Sequence, residues 1–365
     1  MTETQHRTTH LIVGAGLAGC LITWRLLEAG QSVCLIGDST RKSSSSVAAG
    51  IINPVTGRWM TKTWNFDQFM PHARTLYRAI EKRLGIEVFH EIPARRYCLN
   101  QDDAKRANRR IKNPRYAEVL GDFIPTGERQ LGISDPFGSF EIKNAAYVDL
   151  PQLLSSLRAY YLSLGCYRDA SFDYRLLTQK QEDWQFDSLC TERVIFCEGA
   201  AVTLNPWFKH LPLLPIKGET LLFQSDKINL QPGVYHHEKW LLPYGKGIFR
   251  IGATYDENDV TDTATEAARS QLLAAAEAFT ETKNSIQPVK QLAGIRPTTS
   301  DNRPFLGEHP VAKGLYIFNG LGSKGASTAP KLSSDFIKNL LENTPLHPEV
   351  SIRRFNQKRL HHETD

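Results

Sequence analysis

No run in this chain of 365 residues is apolar for long enough to cross a membrane. The strongest candidate, Leu11 to Leu27, is short, broken by glycine and interrupted by Arg25. Cysteine is sparse and unpatterned. Cys20, Cys34, Cys98, Cys166, Cys190 and Cys197 form no CxxC pair and no framework spacing, which excludes a disulfide scaffold. Several lie in apolar patterns, so buried free thiols in a reducing cytosol are expected. The opening residues MTETQHRTTH are polar and carry no signal peptide, so a cytoplasmic location is expected. Histidine offers no ligand pattern. His236-His237 and His361-His362 are adjacent pairs, which do not present both rings to one ion on a helix face. No metal site and no internal repeat is expected. Neither sign of charge dominates: 44 Lys and Arg stand against 39 Asp and Glu, a net +5. That balance alone is too weak to imply a nucleic-acid partner. The length suggests about two domains and allows a sizeable core.

The stretch His10 to Asp38, HLIVGAGLAGCLITWRLLEAGQSVCLIGD, organises the rest. Leu11, Ile12 and Val13 form a short apolar run suited to a buried parallel strand. Gly14, Gly16 and Gly19 follow in the GxGxxG spacing. The first permits a sharp turn, the second lets backbone approach a pyrophosphate, and the third lets helix pack on strand. Backbone N–H groups at the helix start face the phosphates, aided by the helix dipole. Leu21, Ile22, Trp24, Leu26 and Leu27 are the helix's apolar residues, and Gly30 is its natural end. Val33 to Ile36 is the second strand. Asp38 lies just past it, where an acid can accept hydrogen bonds from ribose hydroxyls. The acid disfavours a 2′-phosphate, which leaves NAD or FAD.

Ser39 to Ser46 reads as a polar surface loop, and Val47 to Trp59, VAAGIINPVTGRW, as backbone fitted against something flat. A helix is expected over Pro71–Leu84, with Pro71 in its first turn. Lys105 to Arg115, KRANRRIKNPR, is the densest positive run. It reads first as a solvated helix face; the alternative is an RNA-contacting patch, for which no interleaved aromatics appear. Asp149 caps an amphipathic helix that closes at Gly165. Phe172–Thr178 and Trp184–Phe196 are expected as strands, Trp240–Tyr255 as a hairpin turning at Gly245-Lys246-Gly247, and Thr263–Thr282 as a helix with a Thr263–Glu266 capping box. Leu315–Phe318 is a strand before the last helix, Ala329 to Leu341. This order points to an α/β domain with an antiparallel sheet domain inserted in parts.

Seven stretches, running in order over nearly the whole chain, resemble the D-amino-acid oxidase superfamily of FAD enzymes, in its glycine and sarcosine oxidase branch. They are GAGLAG with Asp38, where the family usually has Glu; SVAAGIINP; CEGA at Cys197–Ala200; PIKGET at Pro215–Thr220; PYGKGIFRIGATYD at Pro243–Asp256; GIRPTTSDNRPFLG at Gly294–Gly307; and NGLGSKGASTAP at Asn319–Pro330. The last is also similar to the FAD oxidase half of a bifunctional tRNA wobble-uridine enzyme, although this sequence lacks that enzyme's methyltransferase half. The resemblance implies an α/β fold: a Rossmann-like FAD-binding domain (1–80, 145–212 and 290–345) interleaved with an α+β substrate domain built on an antiparallel sheet (81–144 and 213–289), then a tail (346–365).

The resemblance also implies chemistry. Hydride leaves the carbon of a C–N bond beside a carboxylate for flavin N5, and the resulting imine hydrolyses. Reduced flavin returns through O2 or another acceptor. The cofactor carries this step and the protein orients it. FAD is expected to be non-covalent. No histidine lies between His10 and His72, and no cysteine after Cys197, where linked relatives carry theirs. Expected cofactor contacts are Gly14, Ala15, Gly16, Leu17, Ala18, Gly19, Asp38 and Ser39; Ala48, Ala49, Gly50, Ile51 and Ile52; Phe172 and Gly199; and Gly320, Gly322, Ser323, Lys324, Gly325 and Ala326. Arg296 is the expected ligand for a substrate carboxylate, since a guanidinium fork matches it in two bonds. Lys324 would place a cation near the flavin, and Tyr244 would close the substrate pocket. The partner expected is a small amine or amino acid, with tRNA as the alternative; the oligomeric state is open.

Overall fold

The computed structural model describes residues 6–126, 133–280 and 285–355. In it β1 (His6–Val13) runs into α1 (Leu17–Glu28) and returns as β2 (Val33–Gly37), parallel to β1 with His10 opposite Val33. Tyr167–Asp169 extends the sheet beyond β2; Leu189–Phe196 extends it beyond β1 and Leu315–Asn319 follows, all in parallel, with Phe305–Glu308 antiparallel beyond that. The order reverses between β1 and Leu189–Phe196. A crevice at the carboxyl ends of two such strands is where open α/β sheets bind ligands. Both faces are covered, as parallel strands require. Ile12 faces one apolar cluster with α1 and the helices Phe66–Leu84, Leu150–Ser163 and Gly325–Glu342. Leu11 and Val13 face another with Phe196, Phe208 and Ile317.

A second sheet has the order Gln287–Thr299, Leu213–Gln224, Ile248–Gly252, Trp240–Gly245, Val234–His236, Ala94–Tyr97, Ser139–Ile142, Leu120–Ile124. It is antiparallel except where Val234–His236 runs parallel to Ala94–Tyr97. The helix Glu266–Thr280 packs on it through Leu272 and Phe279, against Leu221 and Phe249. Gln287–Thr299 pairs along its whole length within this sheet, so the change of sheet follows Thr299 rather than falling at residue 290.

Local expectations need several corrections. The helix expected from Pro71 starts at Phe66, and Pro71 sits inside it. Trp184–Phe196 is a hairpin of Asp183–Phe186 and Leu189–Phe196, because Asp187 takes a left-handed turn conformation. Phe172 precedes a short 3-10 turn, and the strand begins only at Leu177. The cap of Glu266–Thr280 is Thr265, whose Oγ1 accepts the Ala268 N–H at 3.3 Å; Thr263 is not used, and Thr282 lies outside the described residues. The last helix begins at Gly325, four residues early, with Lys324 as its N-cap residue.

Candidate active site

One cavity of about 1400 Å³ runs from the glycine turn to the antiparallel sheet. It exceeds the roughly 300–1,000 Å³ of a drug-sized pocket, so a dinucleotide and a small substrate can share it. Gly14, Ala15, Gly16, Leu17 and Ala18 form one wall. Gly14 has φ +105°, and a Cβ there would lie 2.5 Å from the Cys197 carbonyl oxygen. Only glycine keeps β1 and Leu189–Phe196 this close at their ends. Gly19 packs under the turn, against the Gly14 carbonyl, and does not line the cavity. The start of α1 and that of Gly325–Glu342 converge: a Cβ at Gly325 would touch Leu17 Cδ2 at 3.4 Å. Two helix N-termini thus reach the cavity, with Gly322, Ser323, Lys324, Gly325 and Ala326 along it. Gly320 lies behind, against Thr299.

At the far end of β2, Asp38 lines the cavity. Its carboxylate accepts from Ser171 Oγ at 2.5 Å, and from Thr40 N at 2.9 Å and Thr40 Oγ1 at 2.5 Å, which together hold its pKa down at about 2. Ser39 is not in the wall, because its N–H and Oγ both donate to Asp169. Phe172 is in the wall, stacked on Phe186 at 4.3 Å, as is Gly199.

The middle wall is Ala48, Ala49, Gly50 and Ile51; Ile52 is buried behind it. The antiparallel sheet positions this segment. Arg250 donates to the carbonyls of Val47 and Ala48, the latter at 3.4 Å, while bonding Thr220 Oγ1 at 2.9 Å. Next along the chain, Asn53 Oδ1 accepts from Val55 N at 3.0 Å. That turns the Asn53 amide NH2 toward His236 Nε2, 3.0 Å away, and makes Nε2 the acceptor. Burial, with Arg96 nearby, pushes the His236 pKa down to about 3, so the ring is neutral.

Arg296 projects into the cavity from Gln287–Thr299. It donates to the carbonyls of Lys217 and Thr254, each at 3.1 Å, and its Cζ lies 4.3 Å from the Tyr255 ring centre. Among the described residues it makes no ion pair, and burial lowers its pKa from the ordinary value. Lys217, its neighbour on the next strand, is fully buried yet compensated by Asp259 and Glu219. Burial, then repulsion by Arg303, lowers the Lys324 pKa. Tyr244 is 45% exposed and outside the walls; Tyr255, 68% exposed, and Trp240 line the cavity instead.

Glu198 has no role in the sequence beyond its place in CEGA. It lines the cavity, accepting from Tyr174 at 2.5 Å and Asn205 at 2.8 Å, and burial pushes it up to about 7. Sequence reasoning also misses His236, Trp240 and Arg250 as site residues. Their pairing with residues 47–53 is tertiary and leaves no mark in sequence spacing. Tyr255 sits inside the GATYD stretch, two residues after Ala253, and is the one that a motif could have flagged.

The glycine cradle, the paired helix starts and the ribose-side acid fit an FAD. No helix among the described residues is long and apolar enough to cross a membrane, and no group of His, Cys, Asp and Glu there is arranged to hold a metal. The family model described as "FAD dependent oxidoreductase" (DAO) matches residues 10–333. Glycine oxidase from Pseudomonas aeruginosa is 26% identical over 349 residues, covering 88% of this chain and 91% of that protein. A tRNA 5-methylaminomethyl-2-thiouridine biosynthesis bifunctional protein from Caulobacter sp. is 26% identical over 344 residues, covering 90% of this chain and 54% of its own length. The crystal structure of glycine oxidase from Geobacillus kaustophilus superposes with TM-score 0.77 at 21% identity, covering 93% of this chain and 96% of that one. Iminodiacetate oxidase from Chelativorans sp. gives 0.76 at 22% identity, with 94% and 99% covered. By the match of most of its length, this chain belongs to the DAO family of FAD-dependent oxidoreductases.

Proposed function

We propose that this oxidoreductase oxidises the C–N bond of a small amine bearing a carboxylate, such as glycine, an N-substituted glycine or a D-amino acid. The carrying observation is Arg296, a cavity-facing guanidinium held by two carbonyls and, among the described residues, without an ion-paired acid. A bound carboxylate would supply the missing charge in two parallel bonds. When bound, FAD would accept hydride from the carbon next to nitrogen. The chain's own residues orient the partners. Arg250 fixes the Val47–Ala48 backbone, and Asn53 with His236 holds the wall that follows. Lys324 and the helix start behind it set a positive field at the glycine loop. The relatives named glycine oxidase and iminodiacetate oxidase support this substrate class. Six free cysteines suit a cytoplasmic setting.

The test is anaerobic mixing of the flavin-loaded protein with glycine, sarcosine and D-amino acids in turn. One class is expected to bleach the flavin, at a rate that Arg296→Ala lowers at least about 10-fold while FAD content is kept. A flavin left oxidised by every one of them would overturn the reading.

A further inference from the structure

Two segments far apart in sequence build a concentration of positive charge. The tip of the hairpin Val55–Thr56/Thr61–Lys62 lies against the strand Ala94–Tyr97 and the helix Gln101–Ile111. Three arginines hold it there by its carbonyls: Arg96 on Gly57 at 2.8 Å, Arg106 on Arg58 at 3.0 Å, and Arg110 on Trp59 at 3.4 Å. Trp59 is left 57% exposed, with the guanidinium carbons of Arg58 and Arg106 at 4.8 and 4.9 Å from its ring centre. Residues 57–62 and 101–116 carry eight basic and two acidic side chains, a net +6, against +5 for the whole chain. Lys62 pairs with Asp67 at 2.7 Å and Lys105 lies 3.7 Å from Asp102, and the remaining basic side chains keep this face positive. One of the two acids, Asp103, is buried against Arg106 at 2.6 Å, whereas Lys105, Arg109 and Arg115 are exposed.

The sequence shows a basic helix with no aromatic in it. The fold supplies the aromatic from the hairpin. A basic face alone would suit any polyanion. A flat indole among guanidiniums narrows the choice, because a base can stack on the ring or on the guanidinium planes while its phosphates meet the arginines. A membrane-binding helix would need an apolar stripe, and Gln101–Ile111 offers only Ala104, Ala107 and Ile111. An acidic peptide brings the charge but no comparable flat partner.

We propose that the Trp59 hairpin and the helix Gln101–Ile111 form a docking surface for single-stranded nucleic acid. The same loop reaches the active site, since Asn53 and Thr56 line the cavity. A strand seated on Trp59 therefore lies beside the reaction chamber. The inference does not depend on the substrate assigned above, because binding is read without turnover.

The test is fluorescence anisotropy of labelled short single-stranded RNA and DNA with the FAD-loaded protein over a salt series. Binding is expected for at least one of them, with log affinity falling linearly in log salt. Trp59→Ala should weaken it about tenfold. Lys105→Glu with Arg109→Glu should weaken it further and lower the salt slope by about 0.7 for each phosphate no longer neutralised. Lys180→Glu, an exposed basic position on the edge strand Leu177–Lys180, should bind as wild type. All variants should keep their flavin absorbance. A stronger response to RNA than to DNA would name the ribose strand as the partner. The proposal is overturned if neither strand binds at low salt, if Trp59→Ala binds unchanged, or if polyglutamate or anionic phospholipid vesicles bind more tightly than both strands.

Discussion

A methyl group at Gly218 would strike the guanidinium of Arg296. The three atoms nearest to the added Cβ are Nη1, Nη2 and Cζ, all closer than 3.0 Å. Gly218 is in an extended strand with no positive φ, so alanine is unstrained in backbone there. The obstacle is the far end of a flexible side chain, so the fold accommodates the methyl group by moving Arg296 aside. The guanidinium then leaves the Lys217 and Thr254 carbonyls that hold it at 3.1 Å. A hydrogen bond to a charged group contributes about 1.5–3 kcal/mol. Misplacing Arg296 should thus cost about 10- to 100-fold in the rate of flavin bleaching at low amine concentration. FAD content should be unchanged, because Gly218 touches the cavity at the arginine. The assay is anaerobic stopped-flow reduction beside a count of bound flavin. Gly218→Ala protein that bleaches at the wild-type rate would refute the view that Arg296 holds the substrate from this position. Protein that loses its flavin would refute the separation between the two ends of the cavity.

Two further outcomes are expected. Glu198, pushed up to about 7 from 4.5, keeps its proton in the folded state over a window where the unfolded chain has lost it. Stability therefore falls as pH rises from 4.5 to 7, by up to about 3 kcal/mol, and levels off above. Glu198→Gln should remove that fall, as thermal midpoints across the window will show; identical profiles would exclude Glu198 as the source. Arg250→Lys keeps the charge but loses the fork that reaches Val47, Ala48 and Thr220 together. FAD should bind about tenfold more weakly with the fold intact, measured by flavin fluorescence on release; equal affinity would show that residues 47–52 need no clamp.

The glycine-loop end of the cavity was legible because it is local. Gly14 to Gly19, Asp38 and the Gly320–Ala326 loop each sit at a strand end, where spacing alone fixes what the backbone does. At the other end, Arg296 faces the cavity as the sequence suggests, and Tyr244 does not. Tyr244 sits at the turn end of the hairpin, whereas Tyr255 follows its open end, where Trp240 pairs with Gly252, and the cavity lies at that open end. The start of the last helix was misplaced because Gly325, Ser327 and Thr328 are poor helix formers. The Lys324 carbonyl accepts from the N–H groups of Ser327 and Thr328, both at 3.1 Å, and that turn overrides the propensity. The Trp59 surface was invisible for a simpler reason. Its aromatic and the charges of the helix are more than forty residues apart, and tertiary contacts such as the three arginine–carbonyl bonds bring them together.

The contrast between Lys217 and Arg296 argues most directly for a charged ligand. The two residues lie on neighbouring strands and are linked, since the Lys217 carbonyl accepts from Arg296. Lys217 is fully buried, and the chain places Asp259 and Glu219 beside it, with Glu219 held in turn by Thr265 and Gln291. Burying a cation without such partners is costly. Among the described residues, Arg296 by contrast meets carbonyl oxygens and the face of Tyr255 and no acid. Acids were therefore available to this region of the fold and are spent one residue away. Arg296 is kept uncompensated where the cavity can deliver an anion, and the oxygens of Lys217 and Thr254 fix its orientation without cancelling its charge. On the reading proposed above, a carboxylate arriving there would gain a preoriented partner. If Arg296 holds the substrate as proposed, a non-reactive carboxylate of similar size should compete with the amine and lose that competition in Arg296→Ala.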